Sequence, residues 1–309
     1  MGGLCHGDQS WQKEIDMRSV KELDVPGKTV LVRADLEAQD REDPRFVVAK
    51  QMVGYLRQGG AQNIKLVGHK GAIWMVEELG VAVNYDLRSD PREEQNGVEL
   101  AVELAEGFDV YVNEAFATSH RNHASIVALP RHMAAQGKQV CVGIRFAEEV
   151  KMLSRVLNNE GRKILVIGGA KENKAAIAKL LSGKFDVVLS GGRLPGAELR
   201  PDGLDISDDL IEQYKRQMGN AGVIVVAGPM GKFEEMGAQK GTREVFTMVA
   251  NTKAYKIAGG GETEDVIRKL GLEDRFDWIS VGGGAMLEFL ATGTLVGIEA
   301  LITHPQPLS

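Results

Sequence analysis

Short runs of consecutive apolar residues alternate along this chain with stretches in which apolar positions recur every three or four residues. The short runs read as strands: Lys28 to Val32, Ile64 to Val67, Val81 to Val83, Phe108 to Val112 and Gln139 to Ile144 in the first half. Lys163 to Ile167, Asp186 to Leu189, Val223 to Val226, Tyr255 to Ala258 and Trp278 to Val281 follow in the second. The recurring stretches read as helices. One is capped by Asp43, runs through Phe46, Val47, Met52 and Leu56, and stops at Gly59-Gly60. Others run through Ile73, Met75 and Leu79, from Val98 to Leu104, from Ala147 to Asn159, from Asp208 to Met218, and onward from Ala285. Continuously apolar strands between helices predict parallel sheets covered on both faces, an α/β fold. Asp90 to Asn96 and Pro195 to Ser207 read as loops, residues 1–16 as a polar extension, and the segment after Leu301 as a non-helical tail.

The strand tips separate the chain into two kinds of chemistry. In the second half they are glycine turns: Gly168-Gly169, Gly191-Gly192, Gly228 to Gly231, Gly259-Gly260-Gly261 and Gly282-Gly283-Gly284. A strand, a glycine turn and a helix start together aim free N–H groups and a positive dipole end at one point, which suits phosphate. Open α/β sheets bind ligands beyond the carboxyl ends of their strands, so five such turns at one edge predict a phosphate- or nucleotide-binding face. In the first half the tips carry Arg33, Arg45, Arg88, Arg121, His69, His120 and His123 instead. Arginine suits bidentate binding of carboxylate and phosphate, so this half is expected to hold a small anionic substrate. The amphipathic stretch 147–159 lies between the halves and is expected to be a connecting, hinge-like helix.

Composition narrows the classes. The 309 residues suggest about two domains. The net charge of −6 argues against a general nucleic-acid or membrane binder. No apolar run is long enough to span a bilayer and nothing resembles a signal peptide, so the expectation is a soluble, cytoplasmic protein. Cys5 and Cys141 match no metal or redox spacing, and Cys5 with His6 has no further ligand to complete a metal site.

Seven segments in order carry a resemblance to the phosphoglycerate kinase family: VLVRAD at 30–35, VNEAFATSHRNHAS at 112–125, IGGAK at 167–171, GPMGKFE at 228–234, KGT at 240–242, GGGET at 259–263 and SVGGGAMLEFL at 280–290. They span most of residues 17–301, and as a set they are highly specific. The resemblance implies two doubly wound, Rossmann-like parallel-sheet domains joined by a hinge helix. It implies reversible phosphoryl transfer between 1,3-bisphosphoglycerate and Mg-ADP, giving 3-phosphoglycerate and ATP. The divisions it suggests are an extension at 1–16, a phosphoglycerate-binding domain at 17–146, a connecting helix at 147–161, a nucleotide-binding domain at 162–292 and a C-terminal segment at 293–309 returning toward the first domain. Carried over by position, Arg33, Asp35, His69, Arg88 and Arg121 would bind the acid substrate. Arg45 would reach the transferring phosphoryl group, with Lys171 and the N–H groups of Gly282, Gly283 and Gly284. Gly168, Gly169, Lys171, Lys174, Gly191, Gly192, Glu234, Gly259, Gly260, Gly261, Glu262 and Thr263 would bind the nucleotide, with Glu234 on the ribose and Glu262 on Mg²⁺. The partners implied are small molecules alone, handled by a monomer or a homodimer.

The chain also departs from the family. Asp-Phe-Asn becomes Asp35-Leu36-Glu37, turning an amide into a carboxylate. His-Leu-Gly-Arg becomes His69-Lys70-Gly71-Ala72, losing an arginine beside a new lysine. Ala227 replaces an asparagine, Glu262 an aspartate, Lys171 and Lys174 stand three apart instead of four, and a long stretch after Gly192 is missing. Two readings follow: an active phosphoglycerate kinase, or a relative that has lost or re-targeted catalysis and binds nucleotide or phosphosugar in regulation or assembly.

Overall fold

The computed structural model describes residues 17–302 apart from Tyr85, Ala170 and Lys171, with the backbone alone at Glu172 and Asn173. The extension with Cys5 and His6, and the tail beyond Ile302, lie outside the described residues. Each half forms one five-stranded, all-parallel sheet. The first contains β1 (Thr29–Arg33), β2 (Asn63–Val67), β3 (Ala82–Asn84), β4 (Val110–Asn113) and β5 (Gln139–Val142), in the order β3-β2-β1-β4-β5. The second contains β6 (Lys163–Ile167), β7 (Val187–Ser190), β8 (Val223–Ala227), β9 (Tyr255–Gly259) and β10 (Trp278–Ser280), in the order β10-β9-β8-β6-β7. The strand order reverses between β1 and β4 and between β6 and β8, so each sheet opens a crevice at its carboxyl edge there.

The helices in chain order are α1 (Pro44–Gln58), α2 (Ile73–Leu79), α3 (Pro91–Glu94), α4 (Val98–Ala105), α5 (Leu129–Ala135) and α6 (Ile144–Leu157). Then come α7 (Glu172–Leu181), α8 (Asp208–Gln217), α9 (Lys240–Asn251), α10 (Gly261–Leu270), α11 (Gly283–Thr292) and α12 (Val296–Ile302). Side-chain alternation along the central strands explains why both faces are covered. Val30 and Val32 pack with Phe46, Met52 and Leu56 of α1, while Leu31 between them packs with α4 and α5 through Leu100, Leu104 and Met133. In the second sheet Ile164 and Val166 face Leu210 and Phe246, and Leu165 and Ile167 face Val150, Leu153, Met286 and Leu290. Thus α6, the segment between the halves, shares a core with α11 on the second sheet.

Asp43 caps α1 by accepting from the Arg45 N–H, with Pro44 in the first helical position. The segment 90–96, expected as a loop, contains α3: Asp90 accepts from the Arg92 N–H and Pro91 starts the helix. Its sequence carried both signals, but four residues show no periodicity. A π-helical turn at Ala124–Ala128 leads into α5 where no element was expected. The last helix, α12, leaves the second domain and packs Ala300 on Ile126 and Val127 of the first, while the Gly297 N–H donates to the Ser119 carbonyl at 2.9 Å. Among the described residues no single helix is long and apolar enough to cross a membrane.

Candidate active site

The tips of β1, β2 and β4 and the turn after β3 enclose a cleft of about 500 Å³ on the first domain, lined by Arg33, Asp35, His69, Arg88 and Arg121 among others. Arg33 ends β1 and is 1% exposed. Its Nε donates to Ser125 Oγ at 2.9 Å and its NH1 group to the Ala34 carbonyl, but its NH2 group is buried without a partner. A buried guanidinium keeps its charge, and an unfilled donor there costs free energy until an oxygen reaches it. Burial pushes its pKa down from the ordinary value, with Glu93 opposing.

Behind the cleft lies Glu93, which the pattern of the chain does not distinguish from its charged neighbours. Glu93 is fully buried and accepts from His69 Nε2 at 2.6 Å, from the Ser125 N–H at 2.8 Å and from Ser125 Oγ at 2.5 Å. Burial raises its pKa, but the hydrogen bonds from His69 and Ser125 and the charge of Arg33 outweigh it, so the carboxyl sits below its ordinary value. An ionised carboxylate accepts only, so it fixes the proton on His69 Nε2. His123 Nδ1 lies 3.2 Å from the same nitrogen. The ligating atoms of His69, Glu93 and His123 lie within 4.8 Å of one another. Glu93 accepts from three donors, and the arrangement holds together as a hydrogen-bonded support.

The pKa of His123 is pushed down to about 4, first by burial and then by His69, with Glu93 opposing. Its ordinary value is 6.5, so between pH 6.5 and 4 the unfolded chain binds a proton that the folded chain refuses. Stability present above pH 6.5 should therefore be lost as pH falls toward 4, by on the order of 2 kcal/mol. Urea unfolding at pH 7 and pH 4.5 should show wild type losing that much more than a His123→Asn variant. Equal losses would show that the ring protonates freely in the folded protein.

On the second domain, β9 and β10 deliver the glycine turns of α10 and α11 side by side. A Cβ on Gly283 would stand 2.8 Å from Gly260 Cα, so the two turns touch directly. The first intrahelical bonds are Glu264 N–H to the Gly260 carbonyl and Met286 N–H to the Gly282 carbonyl, at 2.9 and 2.8 Å. The amides before them, in two ten-residue helices, have no intrahelical acceptor. Space is open at Gly261, and at Gly284 the nearest atom to an added Cβ is His120 Nε2 at 3.6 Å. Two positive helix ends thus face one point.

The domains meet beside that point. A Cβ on Gly282 would come within 2.5 Å of Ala117 Cα in the first domain. Arg45 and Gly261 line opposite sides of a cleft of about 540 Å³. Arg45 rests on its own domain, with Nε 3.6 Å from Asp35 and its NH1 group donating to the Glu37 carbonyl at 2.5 Å. The joint is held by residues not anticipated as functional. Glu114 accepts from the Arg145 and Phe146 N–H groups that start α6, and burial raises its pKa to about 7. Glu149 of α6, fully buried, accepts from Trp278 Nε1 at 2.8 Å and the Val281 N–H at 3.0 Å. Arg145 lies over the Trp278 ring at 3.8 Å and pairs with Glu149 at 3.3 Å. The residue preceding the 282–284 turn is therefore tied to the helix between the domains.

The remaining residues of the expected nucleotide site divide. Lys174 Nζ donates to the Gly168 carbonyl at 2.9 Å and lies 3.9 Å from Glu262, over the crevice between β6 and β8. Lys171 lies outside the described residues. Gly168, Gly191 and Gly192 are small for a reason other than ligand approach: side chains there would collide with Pro229, with Met230 and with the Gly169 carbonyl. Thr263 is buried, and its hydroxyl accepts from the Gly228 N–H at 2.8 Å, bracing the β8 tip. Glu262 is 58% exposed at the first turn of α10, and Glu234 is exposed on the loop after Gly231.

The family model described as phosphoglycerate kinase matches residues 72–199 and 196–293. A phosphoglycerate kinase of Thermomicrobium roseum is 30% identical over 289 residues, covering 73% of this chain and 72% of that one. One from Rubrobacter xylanophilus is 29% identical over 392 residues, covering 93% and 98%. That alignment is longer than the 309 residues here, so the relative carries segments this chain lacks. In fold, the chain superposes on the phosphoglycerate kinase structures of Coxiella burnetii and Pyrococcus horikoshii OT3 with TM-scores of 0.78 and 0.76. Identities are 23% and 24%, and coverage is 94% and 92% of this chain and 100% and 98% of those chains.

Proposed function

The chain belongs to the phosphoglycerate kinase family, and we propose that it moves a phosphoryl group between the acyl phosphate of 1,3-bisphosphoglycerate and Mg-ADP, reversibly, in glycolysis or gluconeogenesis. The observation that carries this reading is a cleft with Arg45 on one wall and the start of α10 at Gly261 on the other. The Arg33 pocket adjoins it on the first domain through Asp35, the partner of Arg45, and the α11 turn touches the α10 turn on the second.

The chemistry asks for positioning and charge neutralisation, with no covalent step on the protein. The orphaned NH2 group of Arg33 and the neighbouring Arg121 hold the acid. An oxygen of the ADP β-phosphate attacks the phosphorus, the bond to the carboxyl oxygen breaks, and the carboxylate leaves with its electron pair. No proton needs to move. Arg45 leaves Asp35 and turns toward the transferring group, while the free amides of α10 and α11 take the charge that builds on its oxygens. Magnesium, when bound, would neutralise charge on the nucleotide phosphates. Glu262 fits a role in holding it, because one exposed carboxylate beside substrate phosphates suits a small cation that keeps most of its waters. Lys174 and the segment containing Lys171 complete the nucleotide side, with Glu234 on the ribose. The same reading makes this a cytoplasmic enzyme acting on small molecules, without nucleic acid or membrane.

The test is turnover of 3-phosphoglycerate and Mg-ATP, coupled to NADH oxidation by a dehydrogenase that reduces the acyl phosphate. Turnover that requires Mg²⁺ is expected. No turnover, with nucleotide binding still measurable by calorimetry, would make the chain a binder without catalysis.

A further inference from the structure

The cations of the acid-binding cleft are not equally committed. Arg33 is held by Ser125 and Ala34, and Arg88 leans out to Glu94 at 3.1 Å, which is not part of the cleft wall. Lys70 is placed otherwise. Its Nζ lies 3.6 Å from Glu37 Oε1, both side chains line the cleft, and they are 76% and 61% exposed. An ion pair this open to water contributes little. A phosphate dianion at the same ammonium makes charge-assisted hydrogen bonds about twice as strong as neutral ones, and it carries more charge than the carboxylate it displaces. Ala72, two residues on, opens α2 and has no group to offer an anion.

We propose that Lys70 anchors the non-reacting phosphate of the acid substrate, and that Glu37 is an internal competitor that occupies Lys70 until the substrate arrives. This rests on the reading of the cleft as the site of a phosphorylated acid. Binding breaks the pair and leaves Glu37 unpaired beside a dianion, on a wall that also carries Asp86. Glu37 therefore lowers affinity for every anion. An acid without the second phosphate has nothing to exchange for Glu37 and is rejected most. The pair sets both the affinity of the cleft and its preference for phosphorylated over unphosphorylated short acids.

The experiment is calorimetric binding of 3-phosphoglycerate at fixed ionic strength to wild type, Lys70→Ala, Lys70→Arg and Glu37→Gln, with KM and kcat for each. Lys70→Ala should weaken binding and raise KM about tenfold, while kcat stays within about threefold and Lys70→Arg recovers most of the loss. Glu37→Gln should tighten binding about threefold, by removing the competitor and its repulsion. Unchanged binding in Lys70→Ala would overturn the proposal. So would weaker binding in Glu37→Gln, which would make Glu37 a direct acceptor from the substrate. If wild type binds no 3-phosphoglycerate, the functional reading fails, and inorganic phosphate becomes the probe for the pair. A loss of phosphate affinity in Lys70→Ala then upholds the anchor, and no change overturns it.

Discussion

Replacing Arg45 with alanine is expected to lower kcat roughly a thousandfold, with the thermal transition within a few degrees of wild type. The side chain is 37% exposed and makes two local contacts, to Asp35 at 3.6 Å and to the Glu37 carbonyl. Neither buries apolar area, so its loss leaves no cavity. Its backbone, not its side chain, receives the Asp43 cap, so α1 still starts. What disappears is the guanidinium that faces Gly261 across the cleft between the two domains. Arg45→Lys should recover only part of the rate, because a point charge cannot bridge two phosphoryl oxygens as a planar fork does. Steady-state turnover with a parallel thermal melt decides the matter. Turnover like wild type in Arg45→Ala would remove this arginine from the mechanism.

Gly284→Val is expected to lower kcat/KM roughly a hundredfold while the protein still folds. The prediction turns on the difference between two adjacent glycines. At Gly283 a Cβ would stand 2.8 Å from Gly260 Cα and 3.0 Å from the Gly259 carbonyl, so any side chain there pushes two turns apart and damages the fold itself. At Gly284 the space is open except for His120, so valine fits the protein but covers the free amides where a phosphate would sit. A folded, inactive Gly284→Val beside a destabilised Gly283→Val would identify the face of α11 that binds the anion. A fully active Gly284→Val would place the anion elsewhere.

Much of this was legible in the chain. Continuous apolar strands such as VIVVA at 223–227 can only be buried on both faces, so a parallel sheet under two helical layers follows from the pattern. Tip residues follow once the strands are known, which is why the sequence alone puts Arg33, His69 and the 259–261 and 282–284 turns at strand ends. Glu93 was not legible. It sits beside Glu94 in PREEQNG, and nothing local separates the glutamate buried against Ser125 from the one exposed on Arg88. Glu149 hides in the same way beside Glu148, within a helix whose periodicity marks only its apolar face. The meaning of the glycines was half legible. Glycine signals close approach, but at Gly168 and Gly191 the approaching group is the 229–230 loop and at Gly192 it is the Gly169 backbone, whereas at Gly261 and Gly284 the space is open.

The sequence by itself determined the class of fold, the division into an arginine-tipped and a glycine-tipped half, and the anionic character of what they bind. These depend on local periodicity and residue chemistry, which each short segment carries alone. Only the tertiary structure decided which polar group meets which. Glu93 goes to His69 and Ser125, Thr263 to the β8 tip, Glu149 to Trp278 and Val281, and Lys70 to Glu37 at the rim. Most of these partners lie tens of residues or more apart in the chain. Whether a polar group is satisfied depends on distance in space, and separation along the sequence does not encode it.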